Sequence, residues 1–116
     1  LSSIPEDIDF LGNLPDYDIA IYTHKKTKSN ETNALDNLKA VLPVLEQLEP
    51  WNNDSIFESV KKLSEQLGVK SNQVLWAVRI AIAGKAVTPG GATEIAEILG
   101  KNEVLLRIQI GIEKLS

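Results

Sequence analysis

Trp76 and Arg79 are the residues of this chain whose types and spacing offer chemistry. They stand three positions apart in the segment Val74–Ala83. On a helix that spacing puts both on one face, one turn apart. A flat indole beside a planar guanidinium is a competent surface for an unpaired nucleobase. Both planes stack on bases, and the guanidinium also donates to base edges. Stacking of this kind contributes about 1–3 kcal/mol per base. The same pair has a structural reading. Trp76 can be core, and Arg79 can pair with an acidic side chain or cap a helix C-terminus. Spacing alone leaves both readings open.

A second feature follows directly in the chain. The stretch Val87-Thr88-Pro89-Gly90-Gly91-Ala92 carries no charge and leads into a helical pattern. Its glycines allow backbone to approach a ligand closely. Amides at the following helix N-terminus are free to meet an anion or a base edge. Thr88 adds a hydroxyl. The plain alternative is a tight connection with Pro89 starting a helix. Around these features the charge is one-sided: from Gln66 to Thr93 there are Lys70, Arg79 and Lys85 and no acid. Lys70 and Lys85 are therefore candidates for phosphate contacts. The net charge of −4 is spread unevenly, with Glu6, Asp7, Asp9, Asp16 and Asp18 in the first twenty residues. A local positive surface can meet phosphates while the rest stays acidic.

Other chemistry is absent from the pattern. There is no cysteine, which excludes disulfides and thiolate metal sites and fits a cytoplasmic protein. His24 is the sole histidine, and one imidazole in a lysine-rich loop with Lys25, Lys26 and Lys28 is a poor metal site. That loop is expected to be solvated. No nucleophile–base pair is evident, so no catalytic residue is assigned. No apolar run approaches the ~20 residues that cross a bilayer. The N-terminus lacks the basic and apolar regions of a signal peptide. The absence of any methionine is what a piece of a longer chain would show.

These residues need a scaffold to place them. With 43% apolar and only 5% aromatic residues, Leu, Ile, Val and Ala must form the interior. Residues 1–30 are broken by Pro5, Pro15 and the Leu11-Gly12-Asn13 turn. They predict a short helix near Glu6–Leu11, a turn near Asp18–Tyr22 and an exposed loop, a linker to whatever precedes. From 31 to 116 a helical period takes over. Leu35, Leu38, Val41, Leu42, Leu45 and Leu48 form one stripe, with Thr32 or Asn33 as cap and Pro43 inside. Asn53 or Asp54 caps a second helix with Ile56, Phe57, Val60, Leu63 and Leu67 inward, and Gly68 ends it. Ser71 caps a third helix over 72–83, ended by Gly84. It is apolar on nearly every side except at Arg79, which makes it the central helix. A fourth helix over 92–99 turns Ile95, Ile98 and Leu99 inward. A last one over 102–115 carries Val104, Leu105, Ile108, Ile112 and Leu115. Trp51 is expected to anchor packing between helices. No segment alternates as a strand would. The architecture is an all-α helical bundle.

The stretch LWAVRIAIAGKAVTPGGATEIAEILGKNEVLLRI resembles the C-terminal signature of bacterial-type glutamyl-tRNA synthetases. The similarity lies in Leu75-Trp76, Arg79, Gly84, Thr88-Pro89, Leu99-Gly100-Lys101 and Arg107. It is strong from Ser71 onward and weaker before Asn30. The resemblance implies an all-α cage gripping the anticodon loop of glutamate tRNA, with Trp76, Arg79, Thr88, Pro89 and the backbone near Gly91 at the bases. The family often carries Pro two residues before the Arg. Here that position is Ala77, which predicts a more regular helix. The resemblance also implies a parent enzyme that activates glutamate with ATP and magnesium on a catalytic domain. Neither its HIGH-like nor its KMSKS-like motif occurs here, so this piece is expected to bind without catalysing, with no cofactor or metal of its own. A cytoplasmic monomer without membrane or DNA contacts is expected.

Two other functions compete. A helical protein-interaction module would offer a wide apolar groove and lock Arg79 in an internal ion pair. Helix-turn-helix DNA binding needs a polar recognition helix, and the candidate here is too apolar.

Overall fold

The computed structural model describes residues 17, 19–24, 28–84 and 91–116. A short 3-10 helix, Ile19–Tyr22, precedes α1 (Glu31–Glu46), α2 (Asn53–Leu67), α3 (Ser71–Ala83), α4 (Ala92–Leu99) and α5 (Lys101–Leu115). Among the described residues there is no strand, only an isolated antiparallel bridge between His24 and Ser29. The fold is all-α, and none of the described helices is long and apolar enough to cross a membrane.

The helix starts differ from the sequence expectation by one to three residues. Asn30, not Thr32 or Asn33, caps α1. Its backbone is extended, and its side chain accepts from the Asn33 amide at 2.8 Å. Asn33 returns the contact, its Oδ1 accepting from the Asn30 amide at 2.8 Å. This reciprocal box does with Asn what Glu or Gln usually does at the third position. Asn52, rather than Asn53 or Asp54, caps α2 by accepting from the Ser55 amide at 2.8 Å. The Asn53 side chain instead reaches across to α4, where its Oδ1 accepts from the Thr93 hydroxyl at 2.6 Å. At α3 the N-cap is Lys70 and no side chain caps the start, so Ser71 opens the helix without capping it. Pro43 lies inside α1, which runs on to Glu46.

As its all-round apolar sequence demands, α3 is central and touches each of the other four helices. Val74, Ala77, Ile80, Ala81, Ile82 and Ala83 are all fully buried. They meet Leu38, Val41 and Leu45 of α1, Ile56 and Val60 of α2, Ile95 of α4, and Val104 and Ile108 of α5 in one apolar core. Three residues expected inward are not: Phe57, Leu67 and Ile98 are exposed. Leu67 sits at the fraying end of its helix, and Ile98 falls on the outer side of a helix too short to bury two faces. Phe57 is exposed toward a hollow described below.

Polar links then fix the helices. Gln73 and Asn37 share a buried amide hydrogen bond of 3.0 Å between α3 and α1. The Trp51 indole donates to the Ala96 carbonyl at 3.0 Å, anchoring α4 to the α1–α2 connection. Arg107 of α5 is 1% exposed. Its Nε donates to Glu103 and its Nη1 to the Ile82 carbonyl, both at 2.7 Å. Ile82 lies in the last turn of α3, where carbonyls lack helical partners, so Arg107 closes the end of the central helix from a neighbour. Gly111 of α5 lets the 3-10 helix come close. A Cβ there would stand 2.9 Å from the Tyr22 hydroxyl and 3.2 Å from Ala81. Tyr22 is fully buried, and its hydroxyl bonds that of Tyr17 at 2.8 Å. Burial first, and that hydrogen bond second, push its phenol far above the ordinary range, so it stays neutral.

Candidate nucleic-acid interface

The outer face of α3 carries Trp76 and Arg79 one turn apart, as their spacing requires. Both are half-buried. The indole is held at its edge, with Nε1 donating to the Ile21 carbonyl at 3.1 Å. It is also held at its face. The His24 imidazole lies 4.0 Å from it, centroid to centroid, at an interplanar angle of 20°. The Arg79 guanidinium carbon is 6.0 Å from the centre of the indole, the outer limit for a cation–π contact.

Arg79 lacks what a structural arginine normally has. No carboxylate of the described residues pairs with it. Its Nε is buried and has no hydrogen-bond partner among the described residues. A guanidinium cannot discharge, and a buried donor without a partner costs about 1–3 kcal/mol. That Nε is sealed from solvent, so a ligand would reach the guanidinium at its other nitrogens.

Trp76 and Arg79 open onto a hollow of about 410 Å³. That is within the range of small-ligand sites. His24 forms part of its wall, Phe57 and Leu75 give it an apolar lining, and Asn72 adds an exposed amide. The start of α4 closes it with Gly91, Ala92 and Thr93. The structure therefore brings Trp76, Arg79 and Gly91 to one place. Lys70 is exposed at the start of α3 and is not part of the wall. Thr88, Pro89 and Lys85 lie outside the described residues.

Gly91 serves the hollow by being small rather than by its conformation. Its φ of −72° is open to any residue. A Cβ added there would meet only the Glu94 carboxylate, at an ordinary 3.6 Å. No side chain caps the α4 amides. Glu94 in the first turn sets a negative charge beside them. That charge opposes a phosphate and leaves neutral base edges as the better match.

The loop around His24 is expected to be solvated: Lys28 is exposed, Lys25 and Lys26 lie outside the described residues, and His24 itself is half-buried. Hydrogen bonds of 2.9 and 3.2 Å pair its backbone with Ser29, and the pairing turns its ring onto Trp76. Phe57, expected in the core, is exposed and gives the hollow an aromatic wall. Nothing in the spacing of either residue signals that arrangement, because the partners are far away in the chain.

Comparison with known proteins adds a family to this geometry. A family model described as an anticodon binding domain matches residues 1–112. A glutamate–tRNA ligase of Clostridium acetobutylicum is 55% identical over 98% of this chain and 24% of its own length. One from Clostridium tetani is 53% identical over 99% of this chain and 24% of its own. The chain thus spans about a quarter of the length of these curated relatives. Among solved structures, a glutamate tRNA ligase from Elizabethkingia meningosepticum, crystallised with its amino acid, superimposes with a TM-score of 0.71. It is 26% identical, and the match covers 92% of this chain and 20% of that one.

Proposed function

The chain belongs to the anticodon binding domain family, and from that premise we propose that it grips the anticodon loop of glutamate tRNA as the non-catalytic end of a glutamate–tRNA ligase. The observation that carries the reading is Arg79: a half-buried guanidinium beside an indole, with no protein carboxylate on it among the described residues. Anticodon bases are unpaired and can be splayed out singly. One base would enter the hollow, stack against the aromatic wall and accept hydrogen bonds from Arg79. Thr88 and Pro89, in the connection that leads to Gly91, would flank it, and Lys70 and Lys85 would meet backbone phosphates.

On this reading the chemistry happens elsewhere. ATP and magnesium would serve a catalytic domain in the remaining length typical of the relatives, and residues 1–30 would join that part to the helical domain over 31–116. Binding at the anticodon is remote from the reacting atoms. It raises charging only insofar as it presents the acceptor end correctly in the transition state. The protein would work in the cytoplasm as a monomer. A protein-interaction module would hold Arg79 in an internal ion pair, and the absence of a carboxylate partner among the described residues favours RNA instead.

The test is Arg79→Ala in the full-length protein. Charging efficiency toward glutamate tRNA is expected to fall about 5- to 150-fold, the equivalent of one lost base contact. Stability should shift by less than about 1 kcal/mol. Wild-type charging by the variant would refute the role of Arg79.

A further inference from the structure

We propose that His24 is a positioning residue of this site: its imidazole holds the Trp76 ring in the plane where a single unpaired nucleobase stacks. The inference rests on the RNA-binding reading above and deepens it by naming what preorganises the base platform. Four observations carry it.

The first is the stack itself, at 4.0 Å and 20°, close enough and parallel enough to restrict rotation of the indole. The second is the edge contact from Trp76 to the Ile21 carbonyl, which comes from the same short segment. Face and edge are therefore both held by residues 21–24. The third is the stiffness of that anchor. Two backbone hydrogen bonds pair His24 with Ser29, Ser29 is buried, and Tyr22 is fully buried between α1, α3 and Gly111. The fourth is room. The hollow keeps about 410 Å³ with the imidazole already in its wall. His24 need not leave for a base to enter, so it acts as wall rather than as occupant.

A free tryptophan on a helix surface samples several rotamers, and a base binding to it must freeze them at a cost of about 0.5–1.5 kcal/mol. The stack removes that cost beforehand. What the imidazole supplies to the indole is a stacked aromatic plane, at 4.0 Å and 20°. Phenylalanine should therefore replace it and alanine should not.

The experiment measures dissociation constants of the full-length protein for the anticodon stem-loop of glutamate tRNA, with a hairpin of scrambled loop as control. His24→Ala is expected to weaken specific binding about threefold to tenfold, the worth of one aromatic pair. His24→Phe should bind within about twofold of wild type on the same scale. In a Trp76→Ala background, His24→Ala should cause no further loss, since its effect runs through the indole. The fluorescence difference between the protein and its Trp76→Ala variant isolates the Trp76 emission, and His24→Ala should speed the anisotropy decay of that component toward that of a mobile ring. Wild-type binding by His24→Ala overturns the proposal, and so does equal loss in His24→Phe. Tighter binding by His24→Ala also overturns it, making His24 an occupant that RNA must displace. If Trp76→Ala and Arg79→Ala also bind as wild type, the RNA-binding reading itself has failed. If they lose binding while His24→Ala does not, only the positioning role has.

Discussion

Arg79 and Arg107 share a side chain and contact the same central helix, yet they are built for opposite ends. Arg107 is sealed at 1% exposure, with Glu103 on its Nε and the Ile82 carbonyl on its Nη1. Arg79 is half-buried on a hollow, with no carboxylate partner and a buried Nε that nothing among the described residues satisfies. The first arginine closes a helix; the second is left with unused donors beside an aromatic platform. An arginine sealed inside with an ion pair is part of the fold, and one half-buried on a hollow without a carboxylate among the described residues is available to a ligand.

The comparison breaks most severely at Arg107. Arg107→Ala should destabilise the protein by about 2–4 kcal/mol, since it leaves a cavity and strips the Ile82 carbonyl of its donor. Denaturant unfolding measures this, and a change under about 0.5 kcal/mol, the size of an ordinary surface substitution, would deny Arg107 a structural role. Arg79→Ala should invert the pattern. Stability should shift by less than about 1 kcal/mol, while affinity for the anticodon stem-loop falls by about 1–3 kcal/mol. Equal losses of stability in both variants would erase the distinction.

Smaller effects sharpen it. Gly111→Ala adds helix propensity worth at most about 1 kcal/mol but drives a methyl against the Tyr22 hydroxyl. A net loss of about 1–2 kcal/mol is expected by thermal or denaturant unfolding. Because the 3-10 helix also holds Trp76 through Ile21, RNA affinity should drop with it. Gly91→Ala should do the reverse at smaller scale. Its φ suits alanine and its surroundings are open, so stability should hold, while affinity for the stem-loop falls by less than about 1 kcal/mol as the methyl narrows the hollow. A stability loss there would mean that the loop conformation, not the room, required glycine.

Helix positions were legible from the chain, and helix surroundings were not. The 3.6-residue period located α1 to α5, and Gly68 and Gly84 marked two of their ends in the left-handed conformation. The apolar circumference of α3 announced that it would be central. The pairing of Trp76 with Arg79 followed from their spacing of three. Each of these is set within one turn or one helix, where local geometry dictates which side chains are neighbours.

Tertiary structure decided the rest. Which of two half-polar faces is buried depends on the partner helix, so Phe57 and Ile98 read as core and are exposed. Which asparagine caps a helix depends on where the incoming chain leaves it, so Asn30 and Asn52 took the place of their neighbours. Above all, the stack of His24 on Trp76 joins a loop to a helix across much of the chain. No periodicity records such a contact, because it forms only when the pairing of His24 with Ser29 and the docking of Tyr22 against Gly111 have fixed where that loop ends up.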